Sequence, residues 1–432
     1  MPQNSSIASS HYGRHWPWVI GSYFAEGMPY AIINTLALTF LADMQVGNDQ
    51  ATRIVSAIAM AWALKALWSP VVEHWKSKRW WMHTLQLVMA TAFLLLAISL
   101  LTHSWWLGYA IVVFSIVAIA SATYDIACDG FYMQVLPGEA QSYFVGVRNT
   151  AYRLSTVFVT GALLALTGWF ETLCDGAISK AWFCTFSVIA LLMVIICIGL
   201  RIGLPRNEEP LLEEPKLLIQ EFYATLRSFL AKGKMLLFMF AFLLLFRLGE
   251  ALLSKVTVLF LKDSIVEGGL GLSNTQLGLI HGTIGVISLI VGGIIGGFYI
   301  SRFSLRRSII PMALMLNVPD LLYVWLASAQ PSSLWVISGC VAVEQFGYGF
   351  GLTAYTVYML QAAGGKHATS HYAIITALMA IGMNIPSFFS GELQMHLGYV
   401  DYFIVTCLST LPGITLSIVM WKCPKLLFER SN

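Results

Sequence analysis

Residues 105–136 read WWLGYAIVVFSIVAIASATYDIACDGFYMQVL. The run is apolar for longer than the roughly 20 residues that cross a bilayer as a helix, yet it carries Asp125 and Asp129. A charged side chain at that depth is costly unless it meets a partner or a water-filled cavity. Ser121, Asp125, Asp129 and Tyr132 recur at helical spacing, so they share one face. The stretch is therefore a spanning helix with a polar stripe.

The rest of the chain has the same character. Its 432 residues are 57% hydrophobic and 11% charged, with a mean hydropathy of +0.73. Soluble domains carry about 25% charged residues, so a cytosolic multidomain enzyme, a disordered protein and a nucleic-acid binder are excluded. The net charge of +3 is spread over short loops and forms no basic domain. Twelve apolar segments are expected to span: 17–43, 52–72, 82–102, 105–136, 142–168, 181–203, 235–262, 273–300, 308–328, 332–361, 370–397 and 399–421. They are continuous runs, not the alternating strands of a β-barrel. The polar N-terminus ahead of a long first run reads as lacking a cleavable signal.

The predicted fold is an all-α membrane protein of twelve transmembrane helices in two pseudo-symmetric six-helix halves. Residues 1–203 form the N-terminal bundle, 204–234 a cytoplasmic linker and 235–432 the C-terminal bundle. Leu218, Phe222, Leu226 and Phe229 give the linker a short amphipathic helix. Phe40-Leu41-Ala42-Asp43 is echoed by Phe260-Leu261-Lys262-Asp263. Basic loops follow the second helix of each half, at 76–79 and 302–307. Lys and Arg crowd one set of loop ends, while the opposite loops hold Arg53, Lys180 and Lys262. By the positive-inside rule both termini are cytoplasmic.

Other ionisable residues fall inside the spans, among them Glu26, Lys65, Arg148, Arg153, Arg247, Glu250, Lys255, Asp320, Glu344 and Glu392. Tyr23, Glu26, Tyr30 and Asn34 stripe helix 1. Arg247, Glu250 and Ser254 stripe helix 7, and Glu344, Tyr348, Gly351, Tyr355 and Tyr358 stripe helix 10. Counting residues from the turn near Glu139 sets Asp129 level with Arg148 and Asp125 level with Arg153, which predicts two ion pairs between helices 4 and 5. Similar counting pairs Glu26 with Lys65 and Glu344 with Arg247. Gly292, Gly293, Gly296 and Gly297 in helix 8 have the spacing of close helix packing. Gly347, Gly349 and Gly351 follow no strand, so they read as packing glycines rather than a nucleotide loop. His367 and His371 read as exposed histidines at a helix start, not zinc ligands. Cys174 and Cys184 lie near one loop and are candidates to pair. No metal and no cofactor is expected.

Several stretches resemble the AmpG-type muropeptide permeases of the major facilitator superfamily. Lys65-Ala66-Leu67-Trp68-Ser69-Pro70-Val71-Val72-Glu73 is similar to that family's Lys-x-x-Trp-x-Pro-x-x-Asp, with Glu73 at the acidic position. Tyr124-Asp125-Ile126-Ala127-Cys128-Asp129-Gly130 resembles Gln-Asp-Ile-Ala-x-Asp-Ala, with Tyr124 replacing Gln. Arg247-Leu248-Gly249-Glu250-Ala251 resembles Lys-Leu-Gly-Asp-Ala. Glu344-Gln345-Phe346, the segment 349–354 and the segment 368–373 resemble motifs of helices 10 and 11.

The resemblance implies that striped helices 1, 4, 7 and 10 line a central cavity. It implies a monomeric, non-enzymatic importer of the bacterial inner membrane, whose partners are protons, lipid and an amino-sugar/peptide conjugate. Glu26, Glu344, Glu250 and Asp125 are the candidates for proton coupling. Tyr23, Tyr30, Asn34, Lys65, Tyr124, Asp129, Arg153, Arg247, Tyr348 and Tyr355 are the candidates for substrate contact. Glu73, Arg79, Arg302 and Arg306 are candidate cytoplasmic latch residues. Import of another bulky anionic solute, acetyl-CoA-like or siderophore, stays open, as does a non-transporting sensor on the same fold.

Overall fold

A computed structural model of the chain describes residues 15–102, 105–136, 138–206, 227, 234–363 and 368–427. The proposed linker helix, His367 and the first fourteen residues lie outside that set. The described residues are mostly helical, with short turns between helices and no strands among them. Among the described residues eight helical stretches are long and apolar enough to cross a membrane. Two of these, Asn274–Ala329 and Ile374–Lys422, are broken by Ser304 (φ 64°) and Gly398 (φ 73°). Both residues adopt backbone angles that no α-helix contains.

The helices are labelled α1 Trp16–Asp43, α2 Asn48–Leu64, α3 Lys78–Thr102, α4 Trp106–Val135, α5 138–173, α6 Ile178–Gly203, α7 Met235–Lys262, α8 274–303, α9 305–329, α10 Leu334–Ala363, α11 368–397 and α12 399–422. Three carry π-helical turns: Ile32–Leu36 in α1, Phe158–Leu163 in α5 and Gly278–Gly285 in α8. In α1 the π turn follows Pro29, which lacks the N–H for a regular helical bond. The ladder of α7 is interrupted at Phe246–Arg247, dividing it into Lys234–Leu245 and Leu248–Lys262.

The chain forms two compact units. Unit 1 comprises residues up to Ile33, Lys65–Val159 and Trp169–Pro215; unit 2 comprises Asn34–Leu64, Thr160–Gly168 and Lys216 onward. In unit 1, Phe93 stacks on Phe186 at 5.9 Å, with Trp182 and Phe114 against the same ring. In unit 2, Phe242, Phe246, Tyr355 and Tyr358 form an aromatic core, with Phe246 stacked on Tyr355 at 5.5 Å.

The glycines of α8 and α10 act as packing residues. A Cβ on Gly292 would strike the Phe346 carbonyl, and one on Gly349 the Leu289 carbonyl. A Cβ on Gly296 would stand 2.8 Å from the Phe350 oxygen, whereas Gly297 faces open space. The outward faces stay apolar: Leu95, Leu191 and Ile198 are each more than half exposed. Such a surface suits hydrocarbon rather than water.

Lys78, in the first basic loop, is buried: its Nζ donates to the Val72 carbonyl at 3.1 Å and its stem lies against Gly130. One surface reading is corrected. His371 is 5% exposed, not a solvated helix-start histidine. Cys174 and Cys184 are free thiols in contact with each other.

Candidate functional site

In unit 1 the stripe residues of α1 and α4 meet. Tyr23 Oη donates to Asp129 Oδ1 at 2.8 Å, and the Arg148 guanidinium lies 3.2 Å from the same oxygen. That guanidinium also sits over the rings of Tyr23 and Tyr132, at 4.6 and 5.2 Å from their centroids. The Asp129–Arg148 pair expected from depth is therefore present, with cation–π contacts on both sides.

The second expected rung is not. Asp125 contacts Lys65, at 3.4 Å, and Arg153 is exposed. The reason is local. After α2 the chain passes through a 3-10 turn, Lys65–Leu67, before Pro70, and this turn delivers Lys65 to α4. Trp68 Nε1 donates to Thr123 Oγ1 at 3.0 Å and fixes the turn there. Lys65 and Asp125 both act electrostatically on Glu26, which is 8% exposed and in no ion pair with either. Glu26 Oε2 and Asp125 Oδ1 are buried with no hydrogen-bond partner among the described residues. Tyr124 is fully buried, its Oη 3.3 Å from the Ser22 carbonyl. Tyr30 is exposed, its ring 6.4 Å from that of Tyr152. Asn34 belongs to unit 2, in the π turn of α1.

The corresponding cluster in unit 2 surrounds the break in α7. Arg247 occupies the N-cap position of the second half of that helix, its side chain making no capping bond there. It donates to Tyr348 Oη and lies over the Tyr348 and Tyr355 rings at 5.5 and 5.7 Å. The expected Glu344–Arg247 ion pair is replaced. Glu344, 1% exposed, accepts from Tyr323 Oη at 3.1 Å and Gln345 Nε2 at 3.0 Å. Glu344 and Glu250 both act electrostatically on Asp320, which is buried, with its Oδ1 unpartnered among the described residues. Sequence reasoning noted Asp320 only as a charge in a span. Its place beside Gly249 is set by the Val318–Asp320 turn, which the periodicity does not reveal.

The echoed ends of α1 and α7 meet in unit 2. Lys262 Nζ contacts Asp43 Oδ1 at 2.5 Å, and the pair is largely buried. Asn274, which opens α8, accepts from Lys262 at 2.7 Å and donates to Asp43 at 2.7 Å. Asn48, which opens α2, donates to Asp263 at 2.8 Å, and Tyr399 donates to the same carboxylate at 2.5 Å. The ends of α1 and α7 thus each bind the asparagine that starts the other half's second helix. Arg53 and Glu392 add an ion pair at 2.5 Å. Asp263 lies just past the end of α7. Burial pushes its carboxyl above the usual range, opposed by the bonds from Tyr399 and Asn48. Under this seam, Gly282 of α8 lies directly on the Thr160 carbonyl and the Gly161 nitrogen of α5.

The basic loops do something simpler. Arg79 donates to the Arg201 carbonyl at the end of α6 (2.9 Å), and Arg306 donates to the Trp421 carbonyl at the end of α12 (3.1 Å). Each arginine caps a helix C-terminus within its own unit. Arg302 is exposed, and the Glu73 side chain lies outside the described set. Among the described residues no group of three or more His, Cys, Asp or Glu side chains is arranged to hold a metal.

Residues 19–389 match the model of the Major Facilitator Superfamily. The chain is 25% identical over 403 residues to the anhydromuropeptide permease of Escherichia coli (strain K12), covering 92% of this chain and 77% of that protein. It is 24% identical over 413 residues to a putative transporter AmpG 4 of Rickettsia felis, covering 92% and 94%. Among solved structures, a D-xylose–proton symporter superposes with a TM-score of 0.72 at 13% identity, covering 95% of this chain and 97% of that one. An inward-facing, unoccupied bacterial homologue of the human lysosomal transporter Spinster gives 0.68 at 13% identity, covering 96% of each. At these identities the solved structures speak for the fold alone. The striped spanning helices and the family match converge: the chain is a multi-pass membrane transporter of the Major Facilitator Superfamily, similar to its AmpG-type members.

Proposed function

We propose that the protein imports anhydro-muropeptides, with N-acetylglucosaminyl-anhydro-N-acetylmuramic acid as the core substrate, across the bacterial inner membrane in symport with protons. Both termini are cytoplasmic in this reading, which puts the Asp43–Lys262 seam on the periplasmic side. The observation that carries it is the pair of clusters, half-buried in unit 1 and buried about Glu250 and Glu344 in unit 2, in which carboxylates stand beside cations and tyrosine rings: Glu26, Asp125, Asp129, Lys65 and Arg148 with Tyr23 in unit 1, and Arg247 with Tyr348 and Tyr355 beside Glu250 and Glu344 in unit 2. Tyrosine rings offer flat apolar faces with a polar edge, which suit sugars. Arginines recognise carboxylates in fixed geometry. Desolvated carboxylates in a membrane are proton carriers by chemistry.

Uptake of the labelled disaccharide into vesicles, with and without an inward proton gradient, tests the reading. Accumulation that collapses when the gradient is dissipated supports it. Uptake that ignores the gradient removes the proton, and no uptake at all removes the substrate.

Coupling is assigned to Glu26 and Glu344, the buried carboxylates on the stripes of α1 and α10. Glu26→Gln and Glu344→Gln are expected to lose at least about tenfold in gradient-driven accumulation, the equivalent of about 1.4 kcal/mol. Both should keep counterflow exchange near wild type. Normal accumulation with unchanged pH dependence in both variants would show that neither carries the proton.

A further inference from the structure

Lys255 lies in the second half of α7, 5% exposed. Among the described residues it enters none of the four ion pairs, and no carboxylate acts on it. It stands seven residues before Lys262, and two helical turns return to nearly the same face. That face is the one on which Lys262 meets Asp43 of α1. Lys255 therefore lies about 10 Å below the seam, on the side of α7 turned toward α1. Counting the same distance back from Asp43 reaches the π turn Ile32–Leu36, which offers Asn34 and Thr35 and no acid. Glu250 is five residues earlier on α7, a rotation of about 140° away.

A buried ammonium without a counter-ion is expensive. An aliphatic side chain would fill the same place at lower cost, so the charge calls for an anion that is not part of the protein. We infer that Lys255 receives a carboxylate of the transported solute, beneath the Asp43–Lys262 seam. This rests on the reading of the chain as an importer of muramic-acid conjugates, whose lactyl group supplies a carboxylate where no peptide is attached to it. The π turn of α1 fits the role, because such turns free backbone groups and recur at functional sites.

The test uses purified full-length protein in proteoliposomes, with the labelled disaccharide as its free carboxylate and as its primary carboxamide. Lys255→Gln should raise KM for the carboxylate by about tenfold or more, the size of a lost charged hydrogen bond. It should leave KM for the carboxamide within about twofold, and Lys255→Arg should keep most of the affinity. An unchanged KM for the carboxylate, or an equal rise for both forms, overturns the inference.

Folding supplies a second readout. Lys255→Met should raise Tm in the absence of solute, because it removes an unpaired buried charge; a lower Tm would mark a structural lysine and also overturn the inference. If the wild type takes up neither form, the substrate reading fails and thermal shifts decide Lys255. N-acetylmuramate and N-acetylneuraminate are then the probes. A Tm rise lost in Lys255→Gln and kept in Lys255→Arg supports the inference. No rise in the wild type, or an equal rise in Lys255→Gln, overturns it.

Discussion

Replacing Lys65 by methionine is expected to abolish uptake and to lower the yield of folded protein, and adding Asp125→Asn is expected to restore the fold without restoring uptake. Lys65 and Asp125 are 3.4 Å apart, with side-chain exposures of 36% and 11%. Removing the ammonium leaves the Asp125 carboxylate buried, with Oδ1 already unpartnered. Stranding one member of a buried pair costs about 3–5 kcal/mol; partial exposure of Lys65 reduces this to about 2–3 kcal/mol. Removing both charges leaves no stranded ion, so Tm should return to within a few degrees of wild type. Transport should not return, because Glu26 would then have lost the cation and the carboxylate that act on it. Vesicle uptake and Tm, measured on the two single variants and the double variant, check this. A double variant that transports normally would make the pair a purely structural neutralisation.

Gly282→Val should eliminate transport by preventing the seam from closing. A Cβ at Gly282 would lie within the Thr160 carbonyl group and against the Gly161 nitrogen, so backbone rather than a flexible side chain must move. Overpacking costs about 1–3 kcal/mol and more where backbone is struck, and 3 kcal/mol shifts a two-state population by about 150-fold. Crosslinking of an Ala165→Cys/Thr275→Cys pair reads out closure, since Thr275 Oγ1 lies 3.4 Å from the Ala165 carbonyl. The crosslink should form in an otherwise wild-type chain, fall partway with Gly282→Ala and be lost with Gly282→Val. Undiminished crosslinking and uptake in Gly282→Val would make the glycine contact incidental.

The spans were readable because hydrocarbon imposes one solution on the backbone, and the run from 105 to 136 could be nothing else. The Asp129–Arg148 pair was readable because α4 and α5 are joined by a short turn, so depth can be counted. The same counting failed for Asp125, whose partner arrives from the 3-10 turn Lys65–Leu67 rather than from α5. It failed for Glu344 because α7 breaks at Phe246–Arg247 and re-aims the guanidinium toward Tyr348. No hydrophobic period signals such interruptions. The repeated Asp43 and Asp263 were legible only as an echo between the halves, not as a seam. The asparagines that answer them, Asn274 and Asn48, are single polar residues at helix starts, which composition alone does not distinguish from caps.

The seam also sets a schedule for making the protein. Asn48 is joined to Gln394 at 3.0 Å across 346 residues of chain. At about 5–20 residues per second, roughly 20–70 s separate the synthesis of the two. Asn48 gains Asp263 once α7 is made, but Arg53 and the α2 surface that Gly391 will cover wait for α11 throughout that interval. The first-made segment must therefore be held in the bilayer by lipid or by the insertion machinery until α11 emerges. Premature termination before residue 390 would leave an orphaned α2, a natural degradation signal for membrane quality control.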